Sequence, residues 1–305
     1  MFFRFCVLFA FAFLPGLYLS AAEISDFIPR QSQQVIQINM TEILGKGNVS
    51  NLTVSETFRH IGFQTEMLNR PDIRKLFEYI WVVTPDLTKK DTFIFVRTGM
   101  TEPAFTAAFS RLAGGRHVSV NGSERSLKLT VPSRVPGMPD TTRTVVYRFL
   151  SADTAVFAVD SLASYWKLPR GIPAGELQEK LIPDAWVSGF TAADKRFQQK
   201  YPVIPPFRRA VYSVRGSSRD LSLNCRLAAV GAQSAEQLCG VFQQYVLLGG
   251  VLLNKAEPEL VQDWISAFKI SRNGSAVSVT AVFPESFLYR LSEVSGNLLL
   301  NSGKQ

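Results

Sequence analysis

A chain of 305 residues that is 46% hydrophobic and 19% charged has ample material for a core, in one large domain or two small ones, and is not a disordered protein. Its formal charge of +8 favours acidic partners such as lipid head groups or envelope polymers, yet no basic run is long enough to serve as a nucleic-acid arm. Three cysteines without a Cys-x-x-Cys spacing supply neither a redox nor a zinc motif.

The N-terminus, MFFRFCVLFAFAFLPGLYLSAA, carries one cation, Arg4, before an apolar run from Phe5 to Leu14. Pro15-Gly16 breaks the run, and Ser20 and Ala22 place small residues before Glu23. This is the plan of a secretory signal peptide over residues 1–22. A bilayer span needs roughly 20 apolar residues, and neither this run nor Tyr245 to Leu253 is that long. The expectation is an exported protein, periplasmic or extracellular after cleavage, with no transmembrane segment in the mature chain.

Val35 to Asn39 reads as a first strand. Phe58, Ile61, Phe63 and Met67 follow at helical spacing behind the hydroxyl caps Thr53 and Ser55. Tyr79 to Thr84 and Thr92 to Thr98 read as strands. Pro103 then opens a helix whose stripe is Phe105, Ala108, Phe109 and Leu112, stopped by Gly114-Gly115. Asn121-Gly122 marks a hairpin tip, Pro132 to Pro139 a loop, and Thr144 to Leu150 with Thr154 to Val159 a further hairpin. Asp160 is placed to cap a helix containing Leu162 and Trp166.

Residues 169–183, rich in Pro and Gly, read as a linker between a first half (23–168) and a second (184–296). The second half opens with a strand at Ala185 to Thr191. A basic, Pro-containing connection follows, KRFQQKYPVIPPFRR, from Lys195 to Arg209. A hairpin about Gly216-Ser217-Ser218 leads to a long helix from about Ser234, broken at Pro258. A last hairpin turns at Asn273-Gly274, Pro284 opens a final helix, and residues 297–305 form a flexible tail.

The halves share an order of elements: strand, hairpin, helix, hairpin, helix. VYRFLSADTAVFAVD with SLASYWKL parallels FKISRNGSAVSVTAVF with PESFLYRL. The predicted fold class is therefore α+β, two similar halves of mostly antiparallel sheet with helices packed on one face. This plan resembles that of exported bacterial proteins of unknown function in which two tandem αβ units follow a signal peptide. The resemblance covers most of the mature chain and implies no catalytic or binding residues.

No catalytic set is legible. Ser164 and Lys167 have the Ser-x-x-Lys spacing of serine acyl enzymes, and Ser295-Gly296-Asn297 imitates a second motif, but the third element is missing. Glu56 and His60 share one helix face without a further metal ligand nearby. Nothing calls for a cofactor or a metal. Cys225, on the apolar face of a strand, and Cys239, on the following helix, are candidates for a disulfide worth about 3 kcal/mol for a loop of this length, or for two buried thiols. Lys195, Arg196, Lys200, Arg208 and Arg209 interleave with Phe197, Tyr201 and Phe207 and are the candidate site for an anionic ligand. The expected function is a non-enzymatic binding or structural role at the cell envelope, towards an anionic polymer, a lipid surface or an envelope protein partner, and not towards nucleic acid. The alternative is an exported hydrolase whose site assembles only in the fold.

Overall fold

A computed structural model describes residues 24–43, 75–89, 91–114, 116–131, 141–182, 185–217, 220–288 and 290–291. The signal-peptide segment, the helical pattern with Glu56 and His60, the Pro132 to Pro139 loop, Ser295-Gly296-Asn297 and the 297–305 tail lie outside them. The chain is an α+β protein that divides after Trp186 into two compact units.

Among the described residues the first unit holds seven strands: β1 (Gln34–Asn39), β2 (Tyr79–Thr84), β3 (Phe93–Arg97), β4 (Ser119–Asn121), β5 (Glu124–Val131), β6 (Thr141–Phe149) and β7 (Thr154–Val159). They lie side by side in the order β1-β2-β3-β7-β6-β5-β4, and every pairing is antiparallel. The helices are α1 (Met40–Ile43), α2 (Glu102–Leu112), α3 (Ala163–Trp166) and α4 (Ala174–Lys180). Alternation along the strands decides what each face buries. Val96, Ala155, Phe157 and Tyr147 point one way and meet the α2 stripe of Phe105, Ala108, Phe109 and Leu112. Phe105 and Phe109 set their rings 5.6–6.0 Å from those of Tyr147 and Phe157. Phe93 and Phe95 point the other way, where Tyr165 of α3 meets them at 5.4 and 5.7 Å. Helix α2 begins with Pro103 in its first turn and stops at Gly114, whose φ of 79° a side chain would resist.

The second unit holds β8 (Val187–Ala192), β9 (Phe207–Gly216), β10 (Asp220–Ala229), β11 (Phe268–Asn273) and β12 (Ala276–Pro284), ordered β8-β9-β10-β12-β11 and again antiparallel. Its helices are α5 (Lys195–Lys200), α6 (Ala232–Ala256) and α7 (Leu260–Ala267). Tyr212, Cys225 and Val279 lie in register on the helix-covered face, with Leu227, Val277, Ala281 and Phe283 around them. Helix α7 seals the apolar end. Trp264 meets Phe268 at 5.0 Å and stacks on Phe283 at 5.7 Å, and Phe283 stacks in turn on Phe287 at 5.3 Å.

The two strand orders are the same design. Taken strand for strand, β1-β2-β3-β7-β6 corresponds to β8-β9-β10-β12-β11, with one long helix between the two hairpins in each. The first unit adds the short β4–β5 hairpin at its outer edge.

Several local expectations change. Residues 169–183 contain helix α4, and Ile172, Leu177 and Leu181 are buried, so this Pro- and Gly-rich stretch is packed chain. Asp160 does not cap α3; it sits in the left-handed region at φ 66°, which Asp tolerates, and Ser161 Oγ accepts from the N–H of Ala163 at 3.0 Å. The basic connection is helical over Lys195–Lys200. Among the described residues no helix is long and apolar enough to cross a membrane, although α6 exposes Leu247, Leu248, Val251 and Leu252 along its last turns.

Candidate functional site

The basic connection folds as a turn of helix followed by a return to the sheet. The Asp194 carboxylate accepts from the N–H of Phe197 at 2.8 Å and so caps α5. Its other oxygen pairs with Arg196 at 2.9 Å. Phe197 is buried, with Tyr201 at 5.0 Å and Phe207 at 5.9 Å between ring centroids. Gln198 donates from its side-chain amide to the Phe207 carbonyl at 3.3 Å, and the Ala193 N–H to the Arg208 carbonyl at 3.0 Å. These bonds draw the helix and the start of β9 together at one end of the second unit's sheet.

Arg208 has the same strand parity as Ala210 and Tyr212, which face the core, so a regular strand would drive its guanidinium inward. The register between β9 and β10 slips there: Arg209 faces Ala228, whereas Phe207 faces Ala229. The bulge leaves Arg208 as the extra residue and turns both arginines to solvent. All five predicted cations, Lys195, Arg196, Lys200, Arg208 and Arg209, are exposed. The connection thus turns the rings of Phe197 and Phe207 inward and its charges outward. Tyr201 is the partial exception, half-buried with the Lys200 ammonium 5.6 Å from its ring. A signal for α5 was present in the sequence: Asp194 is a capping residue directly before the helix-forming run KRFQQK, and Pro202 ends that run.

Cys225 and Cys239 are both free thiols, so the candidate disulfide is not formed. Cys225 sits between Tyr212 and Val279 of the neighbouring strands, and burial pushes its thiol up to about 12. Cys239, half-buried on α6, is raised less: partial burial acts first, Arg272 opposes it and Glu236 adds to it. Cys225 fills space in the core, whereas Cys239 is only half-buried.

Ser164 and Lys167 share one turn at α3, where the Lys167 N–H bonds the Ser164 carbonyl at 3.3 Å and the Lys167 side chain is exposed. His117 is exposed. Among the described residues no three His, Cys, Asp or Glu side chains gather as metal ligands.

The chain matches no protein-family model and no curated protein. It is similar in fold to a crystal structure of TP0453 (crystal form III), with a TM-score of 0.51 at 8% identity over 89% of this chain and 97% of that one. Crystal form IV of the same protein aligns at a TM-score of 0.44 and 10% identity, covering 90% and 99%.

Proposed function

We propose that this is an exported, non-enzymatic envelope protein that binds a surface of clustered negative charge through the Lys195–Arg209 connection. The observation that carries the reading is the outward set of five cations in a stretch, 194–209, whose one acidic residue, Asp194, caps α5 and pairs with Arg196. The signal-peptide plan of residues 1–22 supports export, and the net charge of +8 supports an anionic partner. Because Phe197 and Phe207 are core residues, contact at this connection is electrostatic adhesion at the level of a head group or a polymer acid.

Co-sedimentation of the chain from Glu23 onward with vesicles of anionic lipid, at about 0.05 M and about 0.5 M salt, tests this. Binding at low salt that is lost at high salt, and absent with neutral vesicles, is the expected result. Retention by an acidic polymer but not by the vesicles would assign the surface to the polymer. Salt-insensitive binding, or none to either, would overturn the proposal.

A further inference from the structure

The last turns of α6 are gripped on one side and bare on the other. The Val246 carbonyl accepts from the Trp264 Nε1–H at 2.8 Å, and a Cβ at Gly250 would meet Ile265 at 3.5 Å and Val261 at 3.6 Å, so α7 lies close along one side. On the other side Leu247, Leu248, Val251 and Leu252 are 57%, 49%, 56% and 49% exposed. Ile265, 37% exposed, adds to the apolar surface from α7. Apolar residues exposed singly are ordinary, but a cluster on one helix face marks an interaction surface.

Charge decides what covers it. Residues 237–254 hold no charged side chain between Glu236 and Lys255. A helix that lies in a lipid interface carries Lys and Arg beside its apolar face. A charged protein partner would be met by charge of the opposite sign. This stretch offers neither, and a second copy of the same face asks for neither. With a net charge of +8, two copies repel overall, so they can meet only where charge is absent. The Val230 N–H donates to the Pro206 carbonyl at 3.2 Å, which sets the start of α6 beside the Lys195–Arg209 connection. At 1.5 Å per residue, Leu247 to Leu252 lie roughly 20–30 Å further along the helix. That is well beyond a Debye length of about 8 Å.

The spacing also fits a copy of itself. The outward positions 247, 248, 251 and 252 read the same from either end of the helix. Two such helices paired antiparallel about a two-fold axis set Leu248 of one copy against Val251 of the other, and Leu247 against Leu252. Each contact occurs twice, which is the reciprocal pattern of a closed dimer. A parallel pairing would instead bring the starts of the two helices, and with them the two basic connections, side by side. We infer that the protein forms an antiparallel homodimer through the Leu247–Leu252 face of α6. An apolar patch of a few hundred Å² per copy is at the small end of specific interfaces, so the dimer dissociates in the micromolar range.

Sedimentation of the chain from Glu23 onward, from about 1 μM to about 1 mM, brackets such an affinity. A reversible passage from monomer to dimer is expected. L248E puts an unpaired carboxylate into the contact and is expected to weaken the dimer at least about a hundredfold at an unchanged melting temperature. V120E adds the same charge at an exposed valine of the first unit and is expected to leave the dimer intact. L248K and V251E are each expected to be monomeric alone and to form a one-to-one dimer when mixed, because the antiparallel register opposes those two positions. A wild type that stays monomeric throughout, or a dimer that survives L248E, would overturn the inference. So would a monomeric wild type whose binding to lipid vesicles is lost in L248E, which would give the face to a membrane. L248K and V251E that stay apart when mixed would overturn the antiparallel pairing.

Discussion

Two glycines show how closely the second unit is fitted at single positions. A Cβ at Gly249 would stand 2.6 Å from the Trp264 ring, and one at Gly189 2.7 Å from the Tyr212 ring. Trp264 cannot swing away freely, because its Nε1–H donates to the Val246 carbonyl at 2.8 Å and its ring stacks on Phe283. The Gly249-Gly250 pair is what lets α7 lie against α6. G249A is therefore expected to destabilise the protein by about 1–3 kcal/mol, the usual cost of overpacking, read as a lower denaturation midpoint with an unchanged slope. An unchanged midpoint would mean that Trp264 does not wedge there. The cysteines give a second prediction at this scale. Burial pushes the Cys225 thiol up to about 12 and closes it off from solvent, so its thiolate is scarce near neutral pH. A thiol reagent is expected to modify Cys239 alone in the folded chain from Glu23 onward, and both once it is unfolded. Loss of both thiols to an internal bridge would contradict the arrangement of the core.

At the scale of elements, much was legible in the sequence because local chemistry and packing agree. Asn121-Gly122 and Asn273-Gly274 place glycine at φ 60° and 58°, and both turn hairpins where expected. The α2 stripe appeared whole, since its four apolar residues all face one aromatic cluster. Tertiary context governed the rest. Pro169 to Gly175 has the composition of a linker, yet Leu177 and Leu181 next to it find a core to fill. The outward turn of Arg208 depends on a bulge, which no periodicity announces. Helix α5 was announced only by its cap. Asp194 both holds that helix and neutralises Arg196, so the two roles separate on mutation. D194A is expected to cost about 1 kcal/mol of stability through the lost cap while tightening binding to an anionic surface, because Arg196 is released. Weaker binding by a folded D194A would show that α5 must be ordered to present its charges.

For the whole molecule, the repeated strand order is the clearest legacy of the sequence pattern: VYRFLSADTAVFAVD and FKISRNGSAVSVTAVF occupy β6–β7 and β11–β12, equivalent places in the two units. The repeat stops short of the surface. The five exposed cations belong to the second unit's connection between β8 and β9, whereas in the first unit Arg148 and Arg170 lie 4.7 and 5.5 Å from the Trp166 ring centroid. Two copies of one scaffold thus present different charged features, as expected where function is grafted onto a fold. The most direct test of the envelope-binding account is a vesicle titration of K195Q/K200Q/R208Q/R209Q beside K89Q/K128Q/R226Q/K269Q, which removes the same charge from exposed positions elsewhere. At about 1 kcal/mol per cation near an anionic surface, the first variant is expected to lose at least about a hundredfold in affinity, and the second to change much less. Equal losses in the two would mean that net charge alone, and not the Lys195–Arg209 connection, holds the protein to its surface.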